Sequence, residues 1–330
     1  MRRLFYFLPV VACVFLAFQS ALALQETKTT TEFKDLPQKK KSSFFHSPAM
    51  DSPASQLEYT ELLLAEGKIR SAMKQYQALV HQWHNSPEAA IAQRAYAGLL
   101  EDRRKYSRAF DEFQYLIDNY AGHFQYEEAL EHQFRIAHYL MTTRRGSFLF
   151  FPGFDASERA LPLFDKIVQN APGWEKTPQA QFYIGLIHEQ AGDFELATKA
   201  YEITQYRYPD SPFAAEASFR RAHCLYVSAN TNPQDEIRCR TALSTLAGFL
   251  KDYPGDNNRN AAQKYLEELK QRLARMYYDR AVFYDRIKNQ SRSALIAYSD
   301  FVKKFPSSEM AAKAAERIEI LRKEAEKENE

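Results

Sequence analysis

Small and apolar residues recur at one spacing in six places between residues 72 and 301. Each instance has an alanine, a large apolar or aromatic residue four positions later and usually another apolar residue three positions after that. Spacings of four and three place these residues on one face of a helix, so the pattern predicts six amphipathic helices. The instances are Ala72-Tyr76-Leu79, Ala109-Phe113-Leu116, Ala160-Phe164-Ile167, Ala197-Tyr201-Thr204, Ala242-Leu246-Phe249 and Ala294-Tyr298-Phe301.

A proline lies twelve residues after the alanine in four of the six instances and predicts where the helix ends. The prolines are Pro172, Pro209, Pro254 and Pro306. Upstream of each instance we expect a partner helix that carries a small residue where the two helices cross. These crossing residues are Thr60, Ala97, Ala137, Gly185, Ala222 and Ala281. The alanines are 37, 51, 37, 45 and 52 residues apart, which indicates a 37-residue unit with insertions in three places.

The unit resembles the tetratricopeptide consensus, in which a small residue on the first helix of a pair lets the second helix approach closely. It predicts an all-α fold, a tetratricopeptide-type superhelix (α-solenoid) of about six helix pairs. We expect the repeat domain at residues 58–330, with units at about 55–84, 87–121, 125–172, 177–209, 212–254 and 258–306. A C-terminal capping helix over 308–327 would bury a stripe of Ala312, Ala315, Ile318 and Leu321.

The N-terminus has the features of an export signal. Arg2 and Arg3 precede an apolar run over residues 4–18, and small residues then predict cleavage after Ala23. The run has 15 residues, fewer than the roughly 20 that a membrane-spanning helix needs. A second possibility is lipidation at Cys13, which ends a lipobox-like Val-Val-Ala-Cys. Either signal exports the protein, and residues 24–57 then form a polar, flexible linker.

Composition narrows the function. The chain has 44 Lys and Arg against 42 Asp and Glu, and removal of residues 1–23 leaves 42 of each, so we expect no nucleic-acid partner. Ten glycines are few for phosphate-binding loops or a dinucleotide fold. The sequence contains no recognisable catalytic motif, and we expect neither enzyme activity nor a cofactor nor a metal. His81 and His84 are three apart without a third ligand nearby, which indicates surface histidines.

Several motifs together resemble the BamD family of periplasmic tetratricopeptide lipoproteins. They are the export signal, the 37-residue period, the turns Tyr208-Pro-Asp-Ser, Tyr253-Pro-Gly-Asp and Phe305-Pro-Ser-Ser, the aromatic insertion 146–155 and the helix 269–278. The resemblance implies a scaffold at the inner face of the outer membrane, peripheral or lipid-anchored. Its partners would be the barrel-inserting subunit of β-barrel assembly, held by the C-terminal units, and unfolded outer-membrane proteins, received by the N-terminal units. The alternative is a periplasmic adaptor of another envelope system, such as cell-division coordination or pilus and secretin assembly.

In a tetratricopeptide superhelix the first helices of the pairs line a groove. The resemblance places three phenylalanines there, three residues before the crossing residue: Phe134, Phe182 and Phe219. On the same face lie His138, Leu186, His223 and Tyr226. Such a row would accept side chains of an extended peptide, and the alternative is that the rings pack between adjacent repeats.

Two further features complete the candidate residues. The apolar insertion contains Phe148, Phe150, Phe151 and Phe154, and apolar loops of this kind mark partner sites unless they fold back onto their own helices. Cys224 and Cys239 would lie on the two helices of the fifth unit. In an oxidising compartment they form either a disulfide or two partly buried thiols.

Overall fold

The computed structural model describes residues 47–143 and 156–327, and within these ranges every regular element is a helix. The chain divides into two compact units, residues 1–146 and 147–330. The helices of the first unit are α1 (Pro53–Ala65), α2 (Ile69–Gln82), α3 (Pro87–Asp102), α4 (Tyr106–Asn119) and α5 (Tyr126–Thr142). Each packs against the next, and α1 also contacts α3, as expected for stacked helix pairs.

The second unit begins with a 3-10 turn, Ala156–Ala160. It continues with α6 (Leu161–Asn170), α7 (Thr177–Ala191), α8 (Phe194–Arg207), α9 (Ala214–Thr231), α10 (Glu236–Asp252), α11 (Arg259–Val282), a π-helical turn (Phe283–Ile287), α12 (Ser291–Lys304) and α13 (Ala311–Lys327). The predicted all-α fold of helix pairs with a capping helix is confirmed. The third predicted pair, α5 and α6, is divided between the two units.

The repeated apolar positions form the core. All eighteen residues of the six instances are at most 2% exposed, because each second helix turns this face toward its neighbours. The six alanines have no exposed surface at all. Since the same three positions are buried in every repeat, the pattern identifies the core residue by residue.

The crossing residues are buried as well, and one of them is under a strict steric limit. Gly185 of α7 packs directly on the ring of Tyr201 in α8, and a β-carbon there would lie 2.6 Å from Cε1 and 2.7 Å from Cδ1. Real β-carbons do not approach other atoms that closely. A side chain on α7 at this point would therefore force the two helices apart.

All six second helices end ten residues after their alanine, whether or not a proline follows. The next residue donates its N–H to the carbonyl four residues back, as Tyr208 does to Thr204 and Tyr120 to Leu116. A tight turn then leads to the next first helix. The units without proline therefore stop at the same point, and proline reinforces an end that the turn already defines.

Four first helices carry a buried glutamine four residues before the crossing residue, a feature that the apolar pattern did not predict. Each uses its amide nitrogen to reach a residue 19 positions away on a neighbouring second helix. The pairs are Gln56 with Gln75, Gln93 with the Glu112 carbonyl, Gln133 with Gln114, and Gln181 with the Ala200 carbonyl. Buried amides of this kind fix the register between helices because an unpaired amide is costly.

Two predictions need correction: the start of the first helix and the buried stripe of the cap helix. Helix α1 begins at Pro53, so residues 53–57 are helical rather than part of a flexible linker. Ser52 caps this helix by accepting a hydrogen bond from the Ser55 N–H at 3.2 Å. In α13 the buried stripe is Ala314, Ile318 and Leu321, whereas Ala312 and Ala315 are exposed. The predicted stripe is one residue out of register in the first turn of the helix, because alanines on both faces of this helix make the spacing ambiguous.

Candidate functional site

Side chains of the first helices in the second unit form a continuous polar and aromatic surface. We call it the first-helix strip and define it as Glu189 of α7, Arg220, His223 and Tyr226 of α9, and Tyr265 and Arg272 of α11. All six side chains are partly exposed, so a partner can reach them. The strip includes His223 and Tyr226, which the sequence had indicated.

The Glu189 carboxylate organises one end of the strip. Its Oε2 atom accepts hydrogen bonds from the Tyr201 hydroxyl at 2.6 Å and from Arg220 Nη1 at 3.1 Å. The Nδ1 atom of His223 lies 3.5 Å from its Oε1 atom. One side chain of α7 therefore holds both α8 and α9 in place.

The pKa of Glu189 reflects this environment. Burial raises the pKa, but hydrogen bonds from His223, Tyr201 and Arg220 outweigh it and lower the pKa to about 2. Burial, and then the carboxylate, raise the pKa of Tyr201 well above its ordinary value. Glu189 is therefore ionised and Tyr201 protonated at neutral pH, which suits a fixed structural network and not proton transfer.

Aromatic rings form the centre of the strip. The centroid of the His223 ring lies 6.5 Å from that of Tyr226 and 5.6 Å from that of Tyr265, and the two tyrosine rings stack at 4.3 Å. The Tyr226 hydroxyl donates to Glu268, which orients the ring from the far side. These contacts hold flat, partly exposed rings in one arrangement before any partner binds.

Arg272 closes the other end. It donates to the Ala229 carbonyl at 3.1 Å and to the Asn230 side chain, near the C-terminus of α9. A cation at this point satisfies terminal carbonyls and interacts favourably with the helix dipole. Arg272 thus joins α11 to the end of α9 beside the stacked tyrosines.

The predicted row of phenylalanines is largely core, which corrects the groove expectation for these rings. Phe134 is 8% exposed and Phe182 is 7% exposed. The Phe182 ring packs on Tyr201 and Phe213 at centroid distances of 5.5 and 5.4 Å. Phe219 is partly buried against Phe249 at 5.5 Å. Three residues before the crossing point, the side chain points between helices, so the alternative of packing between repeats describes these rings.

The residues one position past the crossing point are more accessible. His138, Leu186 and His223 are all partly exposed. His138 stacks on Phe134 in the first unit, at a centroid distance of 6.4 Å. His223 and Tyr226 lie together in the strip of the second unit. Binding of a peptide by any of them stays a prediction.

The charged members of the strip were missed, although the sequence holds a signal for them. Glu189 lies four residues after its crossing residue, and Arg220 lies two before the next one. The first unit repeats this arrangement with Glu101 and Arg135, whose Nε atom donates to the carboxylate at 2.7 Å. A glutamate four residues after one crossing residue and an arginine two residues before the next crossing residue therefore predict an ion pair between successive first helices.

The structure holds Cys224 and Cys239 as free, buried thiols, which corrects the disulfide alternative. Cys224 packs in the cluster of Phe182, Ala197 and Tyr201, toward the preceding repeat. Cys239 donates to the Leu269 carbonyl at 3.5 Å, toward the following repeat. The side chains point to opposite neighbours, so a bridge would require helices to move.

Other predicted sites lie outside the described residues. They are the export signal, Cys13, and the loop residues Phe148, Phe150, Phe151 and Phe154. His81 and His84 lie within the described part and are partly buried rather than fully exposed.

Within 47–143 and 156–327, no three His, Cys, Asp or Glu side chains come together as metal ligands would. None of the helices in those ranges has the length and apolar character that crossing a membrane demands.

Comparison with known families agrees with this architecture. The model of the YfiO family of outer membrane lipoproteins matches residues 175–329, and a tetratricopeptide repeat model matches residues 61–124. The two matches support a BamD-like tetratricopeptide-repeat protein. Both families are protein-interaction scaffolds rather than enzymes. The match to the outer membrane lipoproteins spans α7 to α13, which include the whole first-helix strip.

Solved structures with similar helices include two tetratricopeptide proteins. One is YrrB, described as a TPR protein with an unusual peptide-binding site, at 14% identity over 64% of this chain and 92% of its own, with a TM-score of 0.31. The other is a tetratricopeptide repeat protein from Parabacteroides merdae ATCC 43184, at 14% identity over 82% of this chain and 98% of its own, also with a TM-score of 0.31. No curated protein matches the chain significantly.

Proposed function

We propose that this BamD-like protein is a periplasmic scaffold in the assembly of outer-membrane β-barrel proteins. The observation that carries the proposal is the match of residues 175–329 to a family of outer membrane lipoproteins. The export signal predicted from the sequence supports a location at the inner face of the outer membrane, peripheral or lipid-anchored. The protein acts by binding other proteins and performs no chemistry of its own.

The first-helix strip is the proposed contact surface for partner and client segments. Its rings are already held by Glu189, Glu268 and Arg272, so little ordering is needed on binding. Burial of one apolar ring by an incoming side chain stabilises a complex by about 1.5–3 kcal/mol. Two or three such contacts along an extended segment are enough for specific recognition of an unfolded outer-membrane protein or of the barrel-inserting subunit.

One purification tests the assignment to an assembly system. The tagged chain is expressed in its own host, the envelope is cross-linked and solubilised, and the captured proteins are identified. We expect an outer-membrane β-barrel protein that carries periplasmic domains. Capture of division, pilus or secretin components in its place would support the alternative adaptor function and refute this one.

A matched pair of variants tests the surface. Tyr265→Ala removes a stacked ring from the strip, whereas Tyr206→Ala removes an equally large ring that is 86% exposed on α8, outside the strip. We expect Tyr265→Ala to weaken binding of a urea-unfolded outer-membrane protein, measured by fluorescence anisotropy, and Tyr206→Ala to leave it unchanged. Equal effects would show that the strip is not the contact surface. Circular dichroism melting confirms that both variants fold.

A further inference from the structure

The positive charge of this nearly neutral chain is concentrated in three helices. Residues 236–304, from the start of α10 to the end of α12, carry 14 Lys and Arg against 8 Asp and Glu. The rest of the chain carries 30 against 34. A local surplus of this kind attracts negatively charged partners and steers their approach.

Part of the surplus converges on one tyrosine. Tyr277 of α11 is buried, and three cations from three helices lie over its ring: Arg240 at 5.6 Å, Arg280 at 4.9 Å and Lys304 at 4.7 Å from the centroid. We call these four residues the Tyr277 cluster. Like charges this close repel one another, so the arrangement needs anions to balance it.

Among residues 156–327, two carboxylates bond these cations. Glu236 accepts from Arg240 Nε at 2.8 Å, from the Tyr277 hydroxyl at 2.8 Å and from Arg280 Nη2 at 2.6 Å. Asp300 accepts from Lys304 at 2.8 Å. Three cations against two carboxylates leave one positive charge unbalanced among these described side chains.

The cations also keep donors to spare. Within residues 156–327, Arg280 donates to Glu236 through Nη2 and has Tyr277 as a second hydrogen-bond partner, and Arg240 donates through Nε and Nη2. Each guanidinium has five N–H groups, so both keep donors for a further acceptor. All three cationic side chains of the cluster are between 44% and 49% exposed. A planar guanidinium held in a fixed position is well suited to a carboxylate.

An apolar side chain stands beside these donors. Ile237 follows Glu236 on α10, lies three residues before Arg240 on the helix surface and is 78% exposed. Arginine is enriched at protein interfaces, and Ile237 adds an apolar contact beside the two arginines.

We propose that the Tyr277 cluster and Ile237 form a docking site for an acidic, amphipathic segment of a protein partner. The inference rests on the proposed scaffold function and adds the chemistry of one partner contact. A carboxylate of the segment pairs with Arg280 and Arg240, and an adjacent apolar residue covers Ile237. A membrane surface fits less well, since one unbalanced charge raises affinity for anionic lipid only about fivefold.

The probe is a fluorescein-labelled amphipathic peptide of Glu, Ala and Leu, about 20 residues long so that it can form a helix. Binding to the full chain is measured by anisotropy between about 50 and 300 mM salt. We expect salt-sensitive binding that Arg240→Gln/Arg280→Gln weakens at least tenfold. The control, Lys199→Gln/Arg322→Gln, removes two exposed cations that pair with glutamates elsewhere in the second unit, and we expect a change of less than twofold.

Equal losses in the two double variants would reduce the effect to net charge and overturn the proposal. So would the absence of peptide binding to the unaltered chain, or preferential binding to phosphatidylglycerol vesicles that depends on the same arginines. If the arginine variant fails to fold, Lys304→Gln and Ile237→Ala take its place, because both side chains are exposed. The purification described above separates the two proposals. If the unaltered chain captures no assembly partner, the scaffold function is refuted. If Arg240→Gln/Arg280→Gln captures the partner as well as the unaltered chain does, only this docking site is refuted.

Discussion

Replacement of Gly185 by alanine tests how closely α7 and α8 must approach. The new β-carbon would lie 2.6 Å, 2.7 Å and 3.0 Å from three atoms of the Tyr201 ring. That ring has no exposed surface, its hydroxyl is bound to Glu189 at 2.6 Å, and Phe182 packs against it. The ring therefore has no free space to move into, and the helices must separate.

Two opposing free-energy terms set the effect of Gly185→Ala on stability. Alanine in the middle of a helix is favoured over glycine by about 1 kcal/mol. Overpacking a close-packed core costs about 1–3 kcal/mol, and we take the upper value of about 3 because three ring atoms are contacted at once. The free energy of unfolding should fall by about 2 kcal/mol, which lowers the melting temperature by about 4–8 °C for a domain of this size.

Gly248 provides the matched control. It also lies inside a helix of the second unit, α10, and a β-carbon there meets nothing within 4 Å. Gly248→Ala should therefore stabilise by up to about 1 kcal/mol, so the two variants differ by about 3 kcal/mol. Urea unfolding followed by circular dichroism measures both. If Gly185→Ala proves as stable as Gly248→Ala, the close crossing is not a steric requirement and the assignment of Gly185 fails.

A second substitution identifies the clash. Tyr201→Leu removes the ring that the new β-carbon would meet, so Gly185→Ala should cost much less in that background. The coupling free energy from the double-mutant cycle should be at least about 1 kcal/mol. If the effects of the two substitutions on the free energy of unfolding are additive, the loss of stability does not arise from this contact.

Three further predictions concern charges and thiols. Glu189 has a pKa of about 2 in the folded protein, below its value in the unfolded chain. Its ionised form therefore stabilises the fold by about 2 kcal/mol above pH 4.5, and this stabilisation is lost as the pH falls toward 2. Urea unfolding of Glu189→Gln should therefore show a deficit at pH 7 that shrinks at pH 3, and the exposed Glu195→Gln should show neither. Arg317→Met leaves the Asp285 carboxylate unpaired and should cost about 2 kcal/mol, with faster amide exchange in α13, whereas Arg322→Met, at an exposed pair, should cost less than about 0.5 kcal/mol. Both thiols should react with Ellman's reagent only after unfolding, because burial raises their pKa; reaction of either in the folded protein would contradict their buried positions.

The core could be predicted from the sequence because repetition removes ambiguity. A single spacing of four and three residues is common, but six copies with buried alanines at every first position have one interpretation. The cap helix shows the limit of this reasoning. It has no second copy to compare with, and alanines on two faces gave the wrong stripe for Ala312 and Ala315.

The candidate contact surface was harder to predict because it depends on neighbouring residues that the repeat pattern does not specify. Phe182 and His223 lie on the same kind of helix and differ only in their position relative to the crossing residue. The structure buries Phe182 against Tyr201 and Phe213 and leaves His223 partly exposed. Ile237 and the cations around Tyr277 belong to no repeated pattern, so the sequence offered no comparison that would single them out.

Core positions and exposed first-helix positions have different roles in this fold. Second helices and crossing residues supply the part of the core that recurs in every repeat, so they tolerate little change, and first helices add buried apolar residues such as Leu100, Ile136 and Leu269. The first-helix positions two before and four after the crossing residue vary between repeats, and in two pairs of successive first helices they carry arginine and glutamate, as Glu101 with Arg135 and Glu189 with Arg220. In the second unit this ion pair also fixes Tyr201 and His223, so the proposed contact surface is held by the same contact that joins the repeats. Exposed side chains of the first helices can therefore change while the buried residues of both helices keep the stacked core intact.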